Sequence, residues 1–494
     1  MMGTVANADR LSGLDASFLH LEEGGAHMHV GSCMLFEGAA PAYDELAAQL
    51  ERRLHLVPRY RQKLAFVPLG QGRPVWVDDP HFNLGYHLRH AALPAPAGME
   101  ELRTLSGWAL SQRLDRSKPL WEVWLVDGVE GDRWALISKT HHCLVDGISG
   151  VDITNVLFDL EPHLSDTVDP PPEPWVARPE PSAASLLADA LLERVTGPVE
   201  LARDAGEALG RPVATASRAA TVATGMGSVA LAGRAAPPSP YNVPIGPHRR
   251  FAWVEQDLAR FRAIKDAFSG TVNDAVLTAV TGALREHLIS RGRDVSALTL
   301  RAMVPVSVRS ESRSLREAQA RSSLGNRVTT MYAPLPVHAE DPATRFTIVR
   351  AAMAGLKESG QAVGAEALTR LTGFAPPTVL AQAARLQVRQ RFFNLTVTNV
   401  PGPQFSLYLL GRRLERIFPQ VPLGGNAALG IAIMSYDGTL NFGLLGDFDA
   451  MPDLEALADF LRESIDALAV AAGVGGSNGG APNRPAGRPA ASPA

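Results

Sequence analysis

Lysine is scarce in this sequence. It occurs only as Lys63, Lys118, Lys139, Lys265 and Lys357, and the other side chains that are always cationic are arginines. Basic residues number 47 against 51 acidic ones, for a formal charge of −4. No basic excess is available to hold a phosphate backbone, which excludes nucleic acid as the partner. Cysteine is rarer still: Cys33 and Cys143 alone allow neither a disulfide framework nor a cysteine-based metal site. This usage is consistent with a reducing cytoplasm. No apolar run reaches the ~18 residues a membrane-spanning helix needs. The first residues, MMGTVANADRLSGLDASF, lack the basic and apolar regions of a signal peptide.

What is present is a globular composition, 46% apolar and 20% charged over 494 residues, too long for one ordinary domain. Residues 1–10 and the Gly/Pro/Ala-rich tail 472–494 are expected to be disordered. Proline-rich DTVDPPPEPWVARPEPSAAS opens a linker over 166–239, in which Leu186, Leu187, Ala190 and Leu191 have helical spacing. The linker separates an N-terminal half, 11–165, from a C-terminal half, 240–471. Apolar runs around a Gly-containing turn predict a hairpin over 121–140, and Ile148, Val151, Val156 and Leu160 predict a helix after it. In the second half, TVNDAVLTAVTGALREHLISRG reads as a helix ending near Gly292. FFNLTVTNVPGP reads as a strand stopped at Pro401, and a second hairpin turns at Asp437-Gly438. Irregular alternation of this kind predicts an α/β protein of the α+β type, with mixed sheets in two packed halves rather than a barrel.

The stretch KTHHCLVDGISG, residues 139–150, places His141 and His142 side by side at the end of the first hairpin. Histidine is the default general base at neutral pH, and a strand end before a tight turn holds it rigidly. The ordinary alternative is a pair of structural imidazoles. Adjacent residues of a strand point to opposite faces, which disfavours joint ligation of one metal ion and leaves one histidine to face a substrate. Asp146 is placed to pin the loop or cap the next helix, and Gly147 to let the backbone bend. Cys143 has no readable His/Asn partner set for a thiol nucleophile, and no G-x-S-x-G elbow occurs. Base-assisted direct transfer remains.

His141, His142, Asp146 and Gly147 form H-H-x-x-x-D-G, which resembles the motif of CoA-dependent acyltransferases and peptide-synthetase condensation domains. LSGLDASFLHLE (11–22), HMHVG (27–31), VPRYRQKL (57–64), PLWEVWLVDG (119–128) and PIGPHRRF (244–251) narrow the likeness, as do VNDAVL (272–277), MVPVSVR (303–309), LGNRV (324–328), TNVPGP (398–403) and SYDGTLNFGLLGD (435–447). Together they resemble the bacterial wax ester synthase/diacylglycerol acyltransferase family. The resemblance implies a chloramphenicol acetyltransferase-like fold, two similar halves around a central solvent channel. It implies His142 as the base, with His141, Asp146 and Gly147 in support. It further implies acyl-CoA as a substrate, diacylglycerol or a long-chain alcohol as acceptor, and no metal or cofactor.

Other candidates carry structural readings beside functional ones. Asn273 and Asp274 resemble the family's Asn-Asp pair, yet Asn273 also sits where an N-cap belongs. Pro119 and Trp121 suit a hairpin entry and core packing as well as substrate contact. Gly325-Asn326 forms a turn or lines the channel, Asn399 holds a loop across it, and Arg309 is a candidate partner for Asp146. His248, Arg249 and Arg250 either meet CoA phosphates or are simply solvated. The linker helices either pack on the halves or face an inner-membrane or lipid-droplet surface. Two rival readings are a carrier-protein-dependent acyltransferase and a non-catalytic lipid-droplet protein. Chain length, acceptor preference and oligomeric state are not encoded in these motifs.

Overall fold

The computed structural model describes residues 10–22, 24–145, 157–162, 174–193, 235–307, 328–358 and 391–475. Asp146, Gly147, Arg309, Gly325 and Asn326 lie outside them, as do Ile148, Val151 and Val156 of the expected helix; Leu160, expected to belong to that helix, is not helical, because Asp159 beside it bridges to Tyr408 instead. The described helices are α1 (Gly13–Leu21), α2 (Tyr43–Arg53), α3 (Leu84–His87), α4 (Met99–Ser111), α5 (His142–Val145), α6 (183–193), α7 (Leu258–Ala267), α8 (Val272–Ser290), α9 (Pro342–Glu358) and α10 (Leu454–Ala471). The first half supplies strands β1 (His29–Glu37), β2 (Gln62–Ala65), β3 (Val75–Asp78), β4 (Leu88–Ala92), β5 (Trp121–Val129) and β6 (Arg133–His141). The second supplies β7 (Arg249–Asp257), β8 (Leu300–Ser307), β9 (Val328–Leu335), β10 (Leu395–Pro401), β11 (Tyr408–Leu409), β12 (Arg412–Gln420), β13 (Leu429–Tyr436) and β14 (Thr439–Asp447).

Two six-stranded mixed sheets result, ordered β11-β12-β1-β6-β5-β4 and β7-β14-β13-β10-β8-β9. Both hairpins expected from the sequence form. β5 and β6 pair antiparallel, and β13 and β14 turn through Asp437 and Gly438, both at positive φ. Helix α8 ends as expected, with Gly292 at φ 68°. Its N-cap differs from the expectation. Thr271 is the cap: its hydroxyl accepts from Asp274 N–H, and the Asp274 carboxylate accepts the Thr271 N–H. Asn273 is already inside the helix, because Thr-x-x-Asp closes the reciprocal capping box two residues earlier.

Strands β11 and β12 lie late in the chain yet complete the first sheet. Met34 pairs with Ile417 and Gly31 with Gln420 across β1 and β12. β12 thereby brings Phe418 onto Trp253 of the second sheet, stacked at 4.4 Å, and Arg416 onto Glu255 at 2.6 Å. Cys33, Leu35, Ile137 and Val126 from the first sheet share one buried core with Phe251, Trp253, Ile431 and Leu444 from the second. Each such side chain, taken fully out of water, contributes about 1.5–3 kcal/mol, so this core holds both halves as one unit. A second core, under the first sheet's other face, contains Phe36, Trp121, Trp134 and Tyr436. Trp121 is fully buried and its indole N–H donates to Tyr60 O at 2.8 Å, which is the packing role expected of it.

Candidate active site

The end of β6 is held from several sides. Lys139 is fully buried; its ammonium donates to Ala109 O and Gln112 O, both at 3.0 Å, and pairs with Glu122 at 3.1 Å. It ties the C-terminal carbonyls of α4 to the strand that carries the histidines. Two residues on, His141 N–H donates to Leu120 O at 2.9 Å and keeps the ladder intact. The chain then breaks into α5, and His142 N–H donates to Met28 O at 2.7 Å. His141 ends the strand and His142 opens the helix, so strand alternation does not extend to the second ring.

Helix α1 closes over both rings. Ser12 caps it by accepting from Asp15 N–H at 3.1 Å. Phe18 stacks on the His142 ring, centroids 3.9 Å apart. Four residues later Glu22, with only 4% of its side chain exposed, faces His141. Its Oε2 lies 3.5 Å from His141 Nε2, its Oε1 3.8 Å from His29 Nε2, and Arg116 Nε donates to Oε2 at 3.0 Å. Burial alone would raise the Glu22 pKa, but His141 and Arg116 outweigh it and hold the carboxyl below its ordinary range. Burial, with a smaller contribution from His141, pushes His142 down to about 4. His142 is therefore a neutral imidazole throughout the physiological range. Cys143 is fully buried, and burial pushes its thiol well above the ordinary value. It stays a thiol, which agrees with its rejection as a nucleophile.

The remaining candidates form a separate group or serve packing. Asn399 Nδ2 donates to Asn273 Oδ1 at 3.4 Å, so the first turn of α8 and the end of β10 are brought together. Asp274 is buried in its capping box and lines a cavity of about 340 Å³ with Ser269, Thr271 and Arg350. Arg249 corrects a sequence reading. It is 97% buried rather than solvated, because its guanidinium donates to Gly246 O and Gly25 O and faces Asp447 at 3.9 Å. It pins the two halves to each other. Glu22, Phe18 and Arg116 had no assigned role in the sequence reading. The stretch LSGLDASFLHLE contains the first two, and their i, i+4 spacing was the available signal.

Two mixed sheets sharing a core, with a histidine pair at the end of a central strand, define a two-sheet acyltransferase of the chloramphenicol acetyltransferase type. The first condensation domain of the calcium-dependent antibiotic synthetase has the same fold: TM-score 0.58 at 18% identity, over 93% of this chain and 96% of that one. Residues 11–276 match the wax ester synthase/diacylglycerol acyltransferase catalytic domain and residues 324–469 the WS/DGAT C-terminal domain. The chain belongs to this family. The Mycobacterium tuberculosis protein named probable diacylglycerol O-acyltransferase tgs1 is 32% identical over 93% of this chain and 96% of its own length. Its relative tgs2 is 33% identical over 93% and 98%. The wax ester synthase/diacylglycerol acyltransferase of Marinobacter aquaeolei VT8 superposes with a TM-score of 0.65 at 28% identity, over 94% of this chain and all of that one.

Proposed function

We propose that this chain esterifies diacylglycerol to triacylglycerol, long-chain alcohols to wax esters, or both, using acyl-CoA as donor and His142 as the base. The observation that carries the mechanism is a neutral, half-buried imidazole stacked on Phe18 at the end of β6, on a backbone whose N–H at residue 142 donates to Met28 O. His142 accepts the hydroxyl proton as the acceptor oxygen attacks the thioester carbonyl. The tetrahedral oxyanion then collapses, the C–S bond breaks, and the imidazolium returns the proton to the departing CoA thiolate. Acyl transfer is direct, without an acyl-enzyme. A thioester is activated enough for this step to need only a base and oxyanion donors. His141 holds the turn, and Asp146 and Gly147 complete the motif by family resemblance. The family assignment and the diacylglycerol acyltransferase names of the relatives support a CoA donor over a carrier-bound one.

The test is CoA release from palmitoyl-CoA with dioleoylglycerol or hexadecanol, repeated with palmitoyl-pantetheine attached to a carrier protein. A base of pKa about 4 is almost wholly deprotonated at pH 6.0. The kcat/KM there should equal that at pH 7.5, its acid limb falling only as pH drops through about 4. An unperturbed histidine would give about a fourfold decline over the same interval. A limb near pH 6.5 removes His142, as placed here, from the role of base. Turnover with the carrier-bound donor alone favours the condensation-type alternative.

The acceptors live in lipid, and we infer that the chain meets a lipid surface peripherally. No helix among the described residues is long and apolar enough to cross a membrane. Helix α6 buries Leu186 and Ala190 against Val67, Val75 and Val77 of the β2–β3 unit and leaves Leu191 and Leu192 about half exposed. Phe66 and Leu69, at the tip between β2 and β3, are exposed as well. Replacing Leu191 and Leu192 by Asp should lower co-flotation with diacylglycerol-containing vesicles by roughly tenfold, with turnover of micellar substrate unchanged. Undiminished flotation rejects this surface.

A further inference from the structure

The His141 ring touches the turn that carries His142. Its Nδ1 lies 3.2 Å from the backbone N of Cys143 and 3.0 Å from Cys143 Sγ. The amide can only donate, and the thiol, which burial keeps protonated, is able to donate as well. Nδ1 must accept, so the ring proton sits on Nε2. Nε2 faces the Glu22 carboxylate at 3.5 Å. That carboxylate is anchored by Arg116, which also donates to Leu19 O at 2.9 Å near the end of the same helix. Glu22 N–H closes α1 onto Phe18 O at 3.1 Å, so the carboxylate below His141 and the ring above His142 move as one piece.

We propose that Glu22 is a positioning residue: its carboxylate selects the Nε2–H tautomer of His141, and the resulting Cys143 N–H···Nδ1 bond locks the turn that aims His142. The mechanism described above makes no use of Glu22, and this inference rests on His142 being the base. With an apolar group at position 22, the Nε2 proton loses the carboxylate that faces it and the ring is free to carry its proton on Nδ1. Nδ1 then repels the Cys143 amide, and the first turn of α5 relaxes. The aim of His142 is lost, and the damage falls on kcat.

Two measurements test it. In protein labelled with ¹⁵N-histidine and assigned against His141→Asn, the His141 resonances should show a protonated Nε2 and an unprotonated Nδ1. In steady state, Glu22→Leu should lower kcat on the order of 10²-fold, the scale of a misaimed catalytic group, with KM for palmitoyl-CoA within about twofold. Glu22→Gln, which keeps an acceptor oxygen, should restore at least about a tenth of the wild-type kcat. A wild-type His141 protonated on Nδ1 overturns the proposal whatever the variants do, including a leucine variant that fails to fold. A folded Glu22→Leu enzyme with wild-type kcat, or with its loss confined to KM, also overturns it. His142→Ala separates the two ideas. If that variant is inactive while Glu22→Leu is fully active, the base stands and the positioning role falls. If His142→Ala is active, the base reading itself is wrong.

Discussion

His142→Ala is expected to lower CoA release by about 10³–10⁴-fold with either dioleoylglycerol or hexadecanol as acceptor. A positioned general base contributes typically 10²–10⁴-fold, and here the same imidazole serves twice, taking the hydroxyl proton and returning it to the thiolate. The loss should appear in kcat, because the ring contributes to the proton path rather than to holding the acyl chain. Stability should change little. The variant forfeits the ring stacking on Phe18, worth about 0.5–1.5 kcal/mol, and keeps the main-chain bond from residue 142 to Met28 O. A melting temperature within about 5 °C of wild type would show that lost chemistry, not lost fold, is being measured. Residual turnover above a tenth of wild type would exclude His142 from the role. His141→Ala should fall between the two, since it removes the support and leaves the base.

Gly443→Val is expected to prevent assembly of the molecule, and Gly443→Ala to destabilise it by about 3 kcal/mol, the upper end of overpacking in a rigid core. Gly443 lies in β14, opposite Ala432 and Trp253, on the face that meets β12. A Cβ placed there would stand 1.8 Å from Pro419 O and 3.0 Å from Pro419 C, both backbone atoms of the other sheet. No rotamer change relieves a clash with a main-chain carbonyl inside a paired strand. The sheets would have to separate, and Trp253–Phe418 stacking would go with them. Gly355 in α9 is the control: nothing lies within 4 Å of its Cβ position, so Gly355→Ala should stabilise by roughly 0.5–1 kcal/mol through helix propensity. Urea midpoints of the two alanine variants decide the matter. Equal midpoints would mean that β12 and β14 are not in backbone contact.

Local patterns in the sequence were reliable wherever the partner was also local. The runs around Gly128 and Gly131 specify the β5–β6 hairpin because both strands lie within one turn of each other. The helix from Val272 has its stop written beside it in Gly292. Motif residues placed the histidine pair at a strand end for the same reason. The cap of the helix from Val272 is the exception: T-V-N-D spells a capping box from Thr271, but Asn273 is an equally good cap by residue type. What the sequence could not display was contact between distant segments. RRLERIFPQ reads as a strand, but nothing in it names β1 as its neighbour. Arg249 beside Arg250 looks like a solvated pair until Gly25 and Asp447 are brought around it. Glu22 looks like one more acidic helix end, and only tertiary structure puts His141, His29 and Arg116 on its oxygens.

The position of β12 has a consequence for how the chain is made. During synthesis, β1, β6, β5 and β4 are all available once residue 141 has left the ribosome, but β1 then has one bare edge. Its proper neighbour is translated only with Arg412–Gln420, which begins 271 residues after His141. Until then an apolar strand, with Cys33, Met34, Leu35 and Phe36 in sequence, presents unpaired amide and carbonyl groups to anything that passes. The first half of this enzyme is therefore a nascent-chain hazard by design of its topology. Its expression should be governed by whatever shields that edge between the emergence of β6 and the arrival of β12.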